Sequence, residues 1–227
     1  NAGYINIIES SISDEVKIRK LFESTNICIN LIGILYEKKR GNTFDNIHSV
    51  FPSLLAKLCK EYNCKQFIHL SALGIEDATE SKYALSKLNG ENEIKKILDN
   101  YVILKPSIVY SVDDKFSTML MTILKYSPLF PIYFNGKTIF HPIHVSDMCE
   151  IIEKAILNEL KGQIIECIGP EQITFKQILN RLSNLLNIKR ILIPTPLFFA
   201  KILAGFFEVT MKNPLLTKDQ LILLNYN

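Results

Sequence analysis

Residues 64–71, Cys-Lys-Gln-Phe-Ile-His-Leu-Ser, and residues 81–87, Ser-Lys-Tyr-Ala-Leu-Ser-Lys, say most about how this chain folds. The first stretch has the length and apolar character of a buried strand, and it ends in a hydroxyl residue. The second stretch begins a helical pattern that continues to Leu98, and a strand-like run at 101–104, Tyr-Val-Ile-Leu, follows it. This order of strand, helix and strand predicts one unit of a parallel α/β sheet.

Tyr83 and Lys87 stand four residues apart, so both side chains project from one face of the predicted helix. A phenol with a pKa of about 10 is a weak acid or base at neutral pH unless a nearby cation stabilises its phenolate. A lysine one turn away supplies that cation and can also bind the hydroxyls of a ribose. The pair predicts proton transfer beside a nicotinamide riboside. The alternative is a surface pair, or a core tyrosine beside a solvated lysine, without function.

The alternation of strands and helices extends in both directions along the chain. Residues 4–8 predict a strand, Ser13 predicts the cap of the next helix, and residues 27–32 predict a strand buried on both faces. After Pro106, two helical stripes are predicted with caps at Ser146 and Thr174, and a strand at 163–168 lies between them. The fold class is therefore predicted as α/β, with a doubly wound parallel sheet and a small C-terminal α/β lobe.

Charge and cysteine usage exclude several classes of protein. The 26 Lys and Arg and the 23 Asp and Glu residues are interspersed, and the net charge of +3 forms no stripe for a nucleic acid. The five cysteines contain no C-x-x-C pair, which favours free thiols in a reducing compartment, cytoplasmic or matrix-like. His141 and His144 flank a proline and do not share a helical face, so we predict no metal site.

Residues 197–207 form a very apolar segment that Lys201 interrupts. As a helix, eleven residues span only about 16 Å, which is half the thickness of a bilayer core, so the segment is too short to cross a membrane. One interpretation is a core helix of the C-terminal lobe. The other is an exposed surface that docks on a hydrophobic partner or peripherally on a membrane.

Several motifs follow one another along the chain in an order that is more specific than the alternation of strands and helices. They are Asn30-Leu31-Ile32-Gly33-Ile34-Leu35-Tyr36-Glu37, Phe44, His48, Ser71-Ala72-Leu73-Gly74, Tyr83 to Lys87, Pro106-Ser107-Ile108-Val109-Tyr110, Pro142 to Asp147, Gly169-Pro170 and Thr217-Lys218-Asp219-Gln220. With these motifs the chain resembles the atypical short-chain dehydrogenase/reductase family that contains the NAD(P)H-binding accessory subunit of respiratory complex I and is related to epimerases and dehydratases.

The resemblance implies a Rossmann domain that binds NADP or NAD, at residues 1–140, interleaved with a C-terminal lobe for a substrate or partner at residues 141–227. It implies catalytic roles for Tyr83 as general acid/base, for Lys87 in lowering the pKa of Tyr83, and for Ser71 in polarising a substrate carbonyl. The residues expected to bind the cofactor are Asp14, Asn30, Leu31, Ile32, Gly33, Ser71, Tyr83, Lys87, Pro106, Ser107 and Ile108.

The chain departs from the family at three substrate-pocket positions and at its start. Lys105 stands where the family usually carries arginine, Ser111 replaces a glycine, and His141 replaces a glutamine. No glycine-rich turn for the dinucleotide phosphates occurs in these residues, so we expect the first two strands of the Rossmann domain to be absent.

Three hypotheses therefore stand. The first is a structural or assembly accessory protein linked to NADH:ubiquinone oxidoreductase, associated with complex I subunits or the surface of the inner membrane. The second is an active NAD(P)-dependent oxidoreductase or sugar-nucleotide epimerase that uses Tyr83 and Lys87. The third is a remnant that no longer binds a cofactor.

Overall fold

A computed structural model describes residues 4–38 and 41–226 of the chain. The elements, in chain order, are Glu15–Phe22 (α1), Ile27–Asn30 (β1), a π-helical turn at Asn46–Val50, Phe51–Glu61 (α2), Gln66–Leu70 (β2), Lys82–Ile97 (α3), Tyr101–Pro106 (β3), Val109–Tyr110 (β4), Lys115–Tyr126 (α4), Leu129–Ile132 (β5), a 3₁₀ turn at Phe134–Gly136, Ile139–Phe140 (β6), Ile143–His144 (β7), Val145–Leu157 (α5), Gln163–Cys167 (β8), Ile173–Thr174 (β9), Phe175–Leu185 (α6), Ile191–Pro194 (β10), Leu197–Thr210 (α7) and Lys218–Leu223 (α8).

The main sheet has four parallel strands in the order β1-β2-β3-β8. Successive side chains of a strand point to opposite faces, so Phe67 and Ile68 of β2 enter two different apolar cores. Phe67 packs with residues of α1, α2 and α3, whereas Ile68 packs with residues of α5. Helices therefore cover both faces of the sheet, and the predicted doubly wound Rossmann-like fold is confirmed.

A smaller lobe is formed by elements from both sides of residue 140. Helices α4 and α6 pack on the parallel pair β5–β10 around Leu124, Phe130 and Leu179. By contrast, β8 lies in the main sheet, although it follows residue 140. The division into interleaved domains at residues 1–140 and 141–227 stays a prediction.

Four local predictions were wrong. Residues 27–32 were expected to form a strand buried on both faces, but β1 ends at Asn30, and Ile29, Leu31 and Ile32 are exposed. Residues 4–8 do not form a strand, and the side chains of Tyr4, Ile5 and Ile7 are exposed, because no neighbouring strand in the described residues pairs with this segment. Asp14, not Ser13, caps α1 by accepting a hydrogen bond from the amide of Lys17. His144, not Ser146, caps α5, and its ring accepts a hydrogen bond from the amide of Ser146.

Helix α7 contains the apolar segment predicted from the sequence, and most of its large side chains are exposed. Only Ala200 and Ala204 are buried. Phe198 is 69% exposed and Phe206 is 59% exposed, so the interpretation of this segment as a core helix is wrong for these two side chains. None of the helices within the described residues is long and apolar enough to cross a bilayer.

Candidate functional site

The carboxyl ends of β1, β2 and β3 lie side by side, because the three strands are parallel and in register. In doubly wound sheets, ligands bind at this edge. At the end of β1, the Asn30 side-chain amide donates a hydrogen bond to Nδ1 of His69 at 3.0 Å, and its oxygen accepts one from the amide of Ile32 at 3.1 Å. Asn30 thereby fixes the direction in which the chain leaves β1 towards Gly33.

Tyr83 lies in the first turn of α3, which is capped by the Ser81 hydroxyl. The Tyr83 ring makes edge-on contacts with the rings of Phe44 and His48, with centroids 5.8 and 5.2 Å away. Burial, and secondarily the carboxylate of Asp219, raises the pKa of the Tyr83 phenol to about 12. This direction is opposite to the one that the sequence analysis expected from Lys87, so the phenol is neutral at physiological pH.

Lys87 lies one turn further along α3, and its ammonium points to the same strand ends. Its Nζ donates a hydrogen bond to the carbonyl of Leu70 at 3.0 Å. A Cβ atom placed on Gly33 would lie 3.4 Å from this Nζ, so the turn after β1 passes directly over the lysine. Burial lowers the pKa of Lys87 to about 8, against the opposing effect of Glu91. Gly33, Lys87 and Tyr83 thus lie around the same strand ends, and their role in binding or catalysis stays a prediction.

His48 connects the turn after β1 to α3, a role that sequence reasoning missed. Its Nε2 accepts a hydrogen bond from the amide of Ile34 at 3.0 Å, so Nδ1 carries the proton and donates to Ser86 Oγ, also at 3.0 Å. Ser86 in turn donates to the carbonyl of Tyr83. Burial, and secondarily Lys87, lowers the pKa of His48 to about 3, so this ring acts as a neutral clamp. The sequence offered one signal for this role, because Phe44 and His48 are among the residues that carry the family resemblance.

Ser71 donates its hydroxyl proton to a buried carboxylate. Its Oγ lies 2.5 Å from Oε1 of Glu91, and Nζ of Lys105 lies 3.1 Å from Oε2 of the same residue. Lys105 also forms an ion pair with Glu76, which is partly exposed. A hydroxyl has one proton to donate. Ser71 therefore cannot polarise a substrate carbonyl while its bond to Glu91 persists, and its catalytic role stays a prediction.

The remaining predicted residues lie in different surroundings. Leu31 and Ile32 are exposed beside Gly33. Pro106 pairs with Cys167, the Ser107 hydroxyl accepts a hydrogen bond from the amide of His141, and the carbonyl of Ile108 accepts one from Ile143. Asp14 caps α1, and no hydrogen bond within the described residues joins it to this cluster. Residues 106–108 are therefore held by hydrogen bonds to β8 and to the segment 141–143.

These residues fit one end of a nicotinamide dinucleotide. The Gly33 turn permits close backbone approach, Lys87 offers further N–H donors, and the Tyr83 hydroxyl makes no hydrogen bond within residues 4–38 and 41–226. Together they could hold a ribose, and the dinucleotide would supply hydride chemistry when bound. The sequence contains no glycine-rich turn for the phosphates. No cluster of metal-ligating side chains occurs in the described part of the chain.

Curated proteins provide similar sequences, whereas no protein-family model matches the chain. The chain is 26% identical over 223 residues to mouse (Mus musculus) mitochondrial NADH dehydrogenase [ubiquinone] 1 alpha subcomplex subunit 9, covering 96% of the chain and 58% of that protein. It is 27% identical to the Dictyostelium discoideum subunit 9, covering 96% and 61%. It is 21% identical to the 40 kDa subunit of NADH-ubiquinone oxidoreductase from Neurospora crassa, covering 96% and 57%. The chain thus spans about three fifths of these relatives.

Solved structures support the same fold. A dTDP-4-dehydrorhamnose reductase from Clostridium acetobutylicum matches with a TM-score of 0.68 and 16% identity, covering 92% of this chain and 78% of that one. A dTDP-glucose 4,6-dehydratase from Streptomyces venezuelae, solved with NAD, matches with a TM-score of 0.71 and 14% identity, covering 82% and 66%. At these identities the likeness concerns the fold alone. The resemblance drawn from the motifs is confirmed: over nearly its whole length the chain is similar to subunit 9 of mitochondrial NADH dehydrogenase, and its fold is similar to that of these reductases and dehydratases.

Proposed function

We infer that this chain is part of an NAD(P)H-binding accessory protein of NADH:ubiquinone oxidoreductase, with a structural or assembly role. The observation that carries this proposal is the similarity to mitochondrial subunits of that enzyme over 96% of the chain. The chain spans about three fifths of the length of those relatives. We therefore propose their activity and partners for it and do not assign them.

The geometry of the site favours a structural role for the dinucleotide over turnover. The Tyr83 phenol has a raised pKa, and the proton of Ser71 is donated to Glu91. Efficient general acid/base catalysis needs a pKa near the working pH, which this tyrosine lacks. Lys87 and the Gly33 turn can still hold a ribose. The site therefore supports binding of NADP or NAD better than it supports proton transfer.

The proposed location is the matrix side of the mitochondrial inner membrane. Helix α7 supports it, because Phe198, Phe199, Ile202, Phe206 and Val209 are exposed along one stripe of this helix. The charged residues between positions 186 and 218 are the basic Lys189, Arg190, Lys201, Lys212 and Lys218 and the acidic Glu208. An aromatic stripe with an excess of basic residues suits the surface of a membrane that contains anionic lipids.

The test is co-migration with the respiratory enzyme. Mitochondria that carry a tagged copy of the protein are solubilised in mild detergent and separated on a native gel stained for NADH dehydrogenase activity. We expect the tag in the band of the assembled enzyme or of an assembly intermediate, and we expect depletion of the protein to reduce that band. If the tag never co-migrates and depletion leaves the band unchanged, the proposal is wrong.

An active oxidoreductase or epimerase is the second candidate. The observation that favours it is that Tyr83 and Lys87 lie on one face of α3 and that the pKa of Lys87, about 8, leaves its amine close to titration at neutral pH. This candidate is supported if the protein turns over a nucleotide sugar and if Tyr83→Phe abolishes that turnover while leaving the affinity for the dinucleotide unchanged.

A further inference from the structure

The C-terminal helix α8 contacts the start of the helix that carries Tyr83 and Lys87. The carboxylate of Asp219 accepts three hydrogen bonds there: from the Ser81 hydroxyl at 2.7 Å, from the amide of Lys82 at 2.7 Å and from the amide of Tyr83 at 3.2 Å. The first amides of a helix have no partner within the helix, and they favour negative charge. A residue more than 130 positions away in sequence therefore satisfies the first turn of α3.

We propose that Asp219 is a positioning residue of the Tyr83–Lys87 site, and that the C-terminal segment 213–226 is part of that site. Asp219 would act through α3, by fixing its first turn, without touching a ligand. Ser81 caps α3 within its own sequence by accepting from the amide of Ala84 at 3.1 Å. Asp219 satisfies the two amides that Ser81 leaves open, so the cap is complete only when the C-terminal segment is in place.

Other contacts of the same segment hold Asp219 in position. Thr217 and Gln220 form a capping box at the start of α8, with side-chain and backbone hydrogen bonds in both directions. The carbonyl of Leu224 accepts a hydrogen bond from the Thr138 hydroxyl, and Leu223 packs against the apolar cluster of Ile75, Ala78 and Ala84. These contacts restrict the carboxylate to one place, as positioning requires.

The segment also reaches the other side of the candidate site. The Tyr36 hydroxyl, in the loop that continues from the Gly33 turn, donates a hydrogen bond to the Asn213 side chain at 2.9 Å. Residues 213–226 therefore contact both the loop after β1 and the first turn of α3. These are the two elements that would enclose a ribose at Lys87.

The electrostatic consequence falls on Tyr83. The titratable groups around it are Asp219 of α8, His48 of the π-helical turn, whose ring contacts the phenol ring, and Lys87 on the next turn of α3. His48 is neutral, since burial depresses its pKa. Removing the charge of Asp219 while keeping its shape should therefore change the titration of Tyr83, which an ordinary packing contact would not do.

The experiment compares Asp219→Asn with Asp114→Asn, which removes the charge of a similar cap at the remote helix α4. Tyrosine is labelled with ¹³C at Cζ, the Tyr83 resonance is assigned with Tyr83→Phe, and amide exchange is followed by NMR. We expect Asp219→Asn to make Tyr83 titrate at lower pH than in the unsubstituted protein. We also expect the amides of Lys82 and Tyr83 to exchange about five- to tenfold faster. Asp114→Asn should change neither.

A second variant separates positioning from general stability. Ser81→Ala removes the local cap but leaves the carboxylate, so exchange at Ala84 should accelerate while the titration of Tyr83 does not move to lower pH. The proposal is overturned if Asp219→Asn leaves both readouts unchanged, or if it accelerates exchange equally throughout the protein without affecting Tyr83. This proposal concerns the site of the proposed function, but its readouts need no bound dinucleotide. The positioning role of Asp219 and the proposed function can therefore fail independently of each other.

Discussion

At the scale of single residues, two of the polar side chains that hold the candidate site are buried, neutral histidines. His48 and His69 are fully buried, and burial lowers the pKa of each to about 3, with a smaller contribution from the charge of Lys87. Each ring accepts a hydrogen bond on one nitrogen, from Ile34 and from Asn30 respectively, which a protonated ring could not do. Protonation of either histidine is therefore incompatible with the native contacts.

We predict that the protein loses stability in mild acid. Between pH 6.5 and about pH 3 the unfolded chain binds protons on these histidines and the folded chain does not, so the free energy of unfolding falls as pH is lowered. The expected slope is roughly 1.4 kcal/mol per pH unit for each histidine. Urea denaturation at pH 7.5, 6.0 and 5.0 measures it. His69→Gln should lower this slope, whereas Phe67→Leu, its non-titrating neighbour, should reduce stability equally at each pH.

The close approach of α3 to the π-helical turn provides a second prediction. A Cβ atom on Gly90 would overlap the backbone carbonyl of His48. A Cβ atom on Gly33 would meet only side chains at ordinary contact distance, the flexible end of Lys87 at 3.4 Å and Nε2 of His48 at 3.6 Å. Backbone cannot move aside as a lysine can. Gly90→Ala should therefore lower the free energy of unfolding by about 3 kcal/mol, and Gly33→Ala by less than about 1 kcal/mol. Equal losses in urea denaturation would contradict this account.

Sequence reasoning located the residues of the site better than it located their partners. The spacing of Tyr83 and Lys87 placed both on one face of α3, because helical geometry is local. The bond from Ser71 to Glu91 joins residues 20 positions apart, and the bonds from Ser81 and Tyr83 to Asp219 span 138 and 136 positions. No periodicity encodes such contacts. The pKa of Tyr83 is raised chiefly by burial and secondarily by the distant Asp219, so its direction could not be predicted.

At the scale of elements, apolar periodicity predicted the buried strands β2 and β3 and most helices. It failed for the burial of β1, and it failed where an element needs a distant partner. Residues 4–8 have the composition of a strand, but a strand forms only when its backbone pairs with a neighbour. The π-helical turn at Asn46–Val50 was missed because a change from α to π hydrogen bonding leaves little trace in composition. This turn brings His48 against Tyr83, so missing it left a contact of the candidate site unpredicted.

Helix α7 carries a prediction of its own. Phe198 and Phe206 are mostly exposed, so Phe198→Ser combined with Phe206→Ser should leave the melting temperature nearly unchanged and make the protein more soluble. The matched control is Phe175→Ser, since Phe175 lies in the core formed by α4, α6, β5 and β10. This control should lose about 3–5 kcal/mol of stability.

The same double variant tests the proposed membrane contact. Co-sedimentation with vesicles of phosphatidylcholine and phosphatidylserine should be strong for the unsubstituted protein and weak for the double variant. Added salt should weaken it, because the basic residues near α7 contribute. Equal sedimentation of the two proteins would contradict a role of α7 at membranes, and unfolding of the double variant would show that α7 is a core element.

At the scale of the whole molecule, elements that are distant in sequence meet around α3. The main sheet supplies the strand ends with Asn30, Leu70 and Ser71, and the C-terminal segment supplies Asp219. The sequence predicted the α/β class, because strands and helices alternate at a regular rhythm. It could not assign β8 to the main sheet, since strand order depends on which edges are available and not on the strand's own residues.

The final prediction concerns dinucleotide binding by the chain as a unit. Phosphate contacts at a helix N-terminus supply much of the affinity for a dinucleotide, and residues 1–227 contain no glycine-rich turn to make them. Within the described residues β1 pairs with β2 alone, so its other edge offers backbone groups to a further parallel strand. We therefore expect residues 1–227 alone to bind NADH and NADPH more weakly than micromolar.

We expect micromolar binding when residues 1–227 are joined at their N-terminus to the glycine-rich strand–turn–helix–strand unit of a Rossmann dinucleotide-binding domain. Isothermal titration calorimetry of both proteins measures the difference. The control is the same fusion with valine in place of the glycines of the grafted turn, which keeps the added strands but blocks the approach of the phosphates. If the valine fusion binds as tightly as the glycine fusion, or if residues 1–227 bind at micromolar concentration alone, the affinity comes from the ribose contacts at Lys87 and Tyr83.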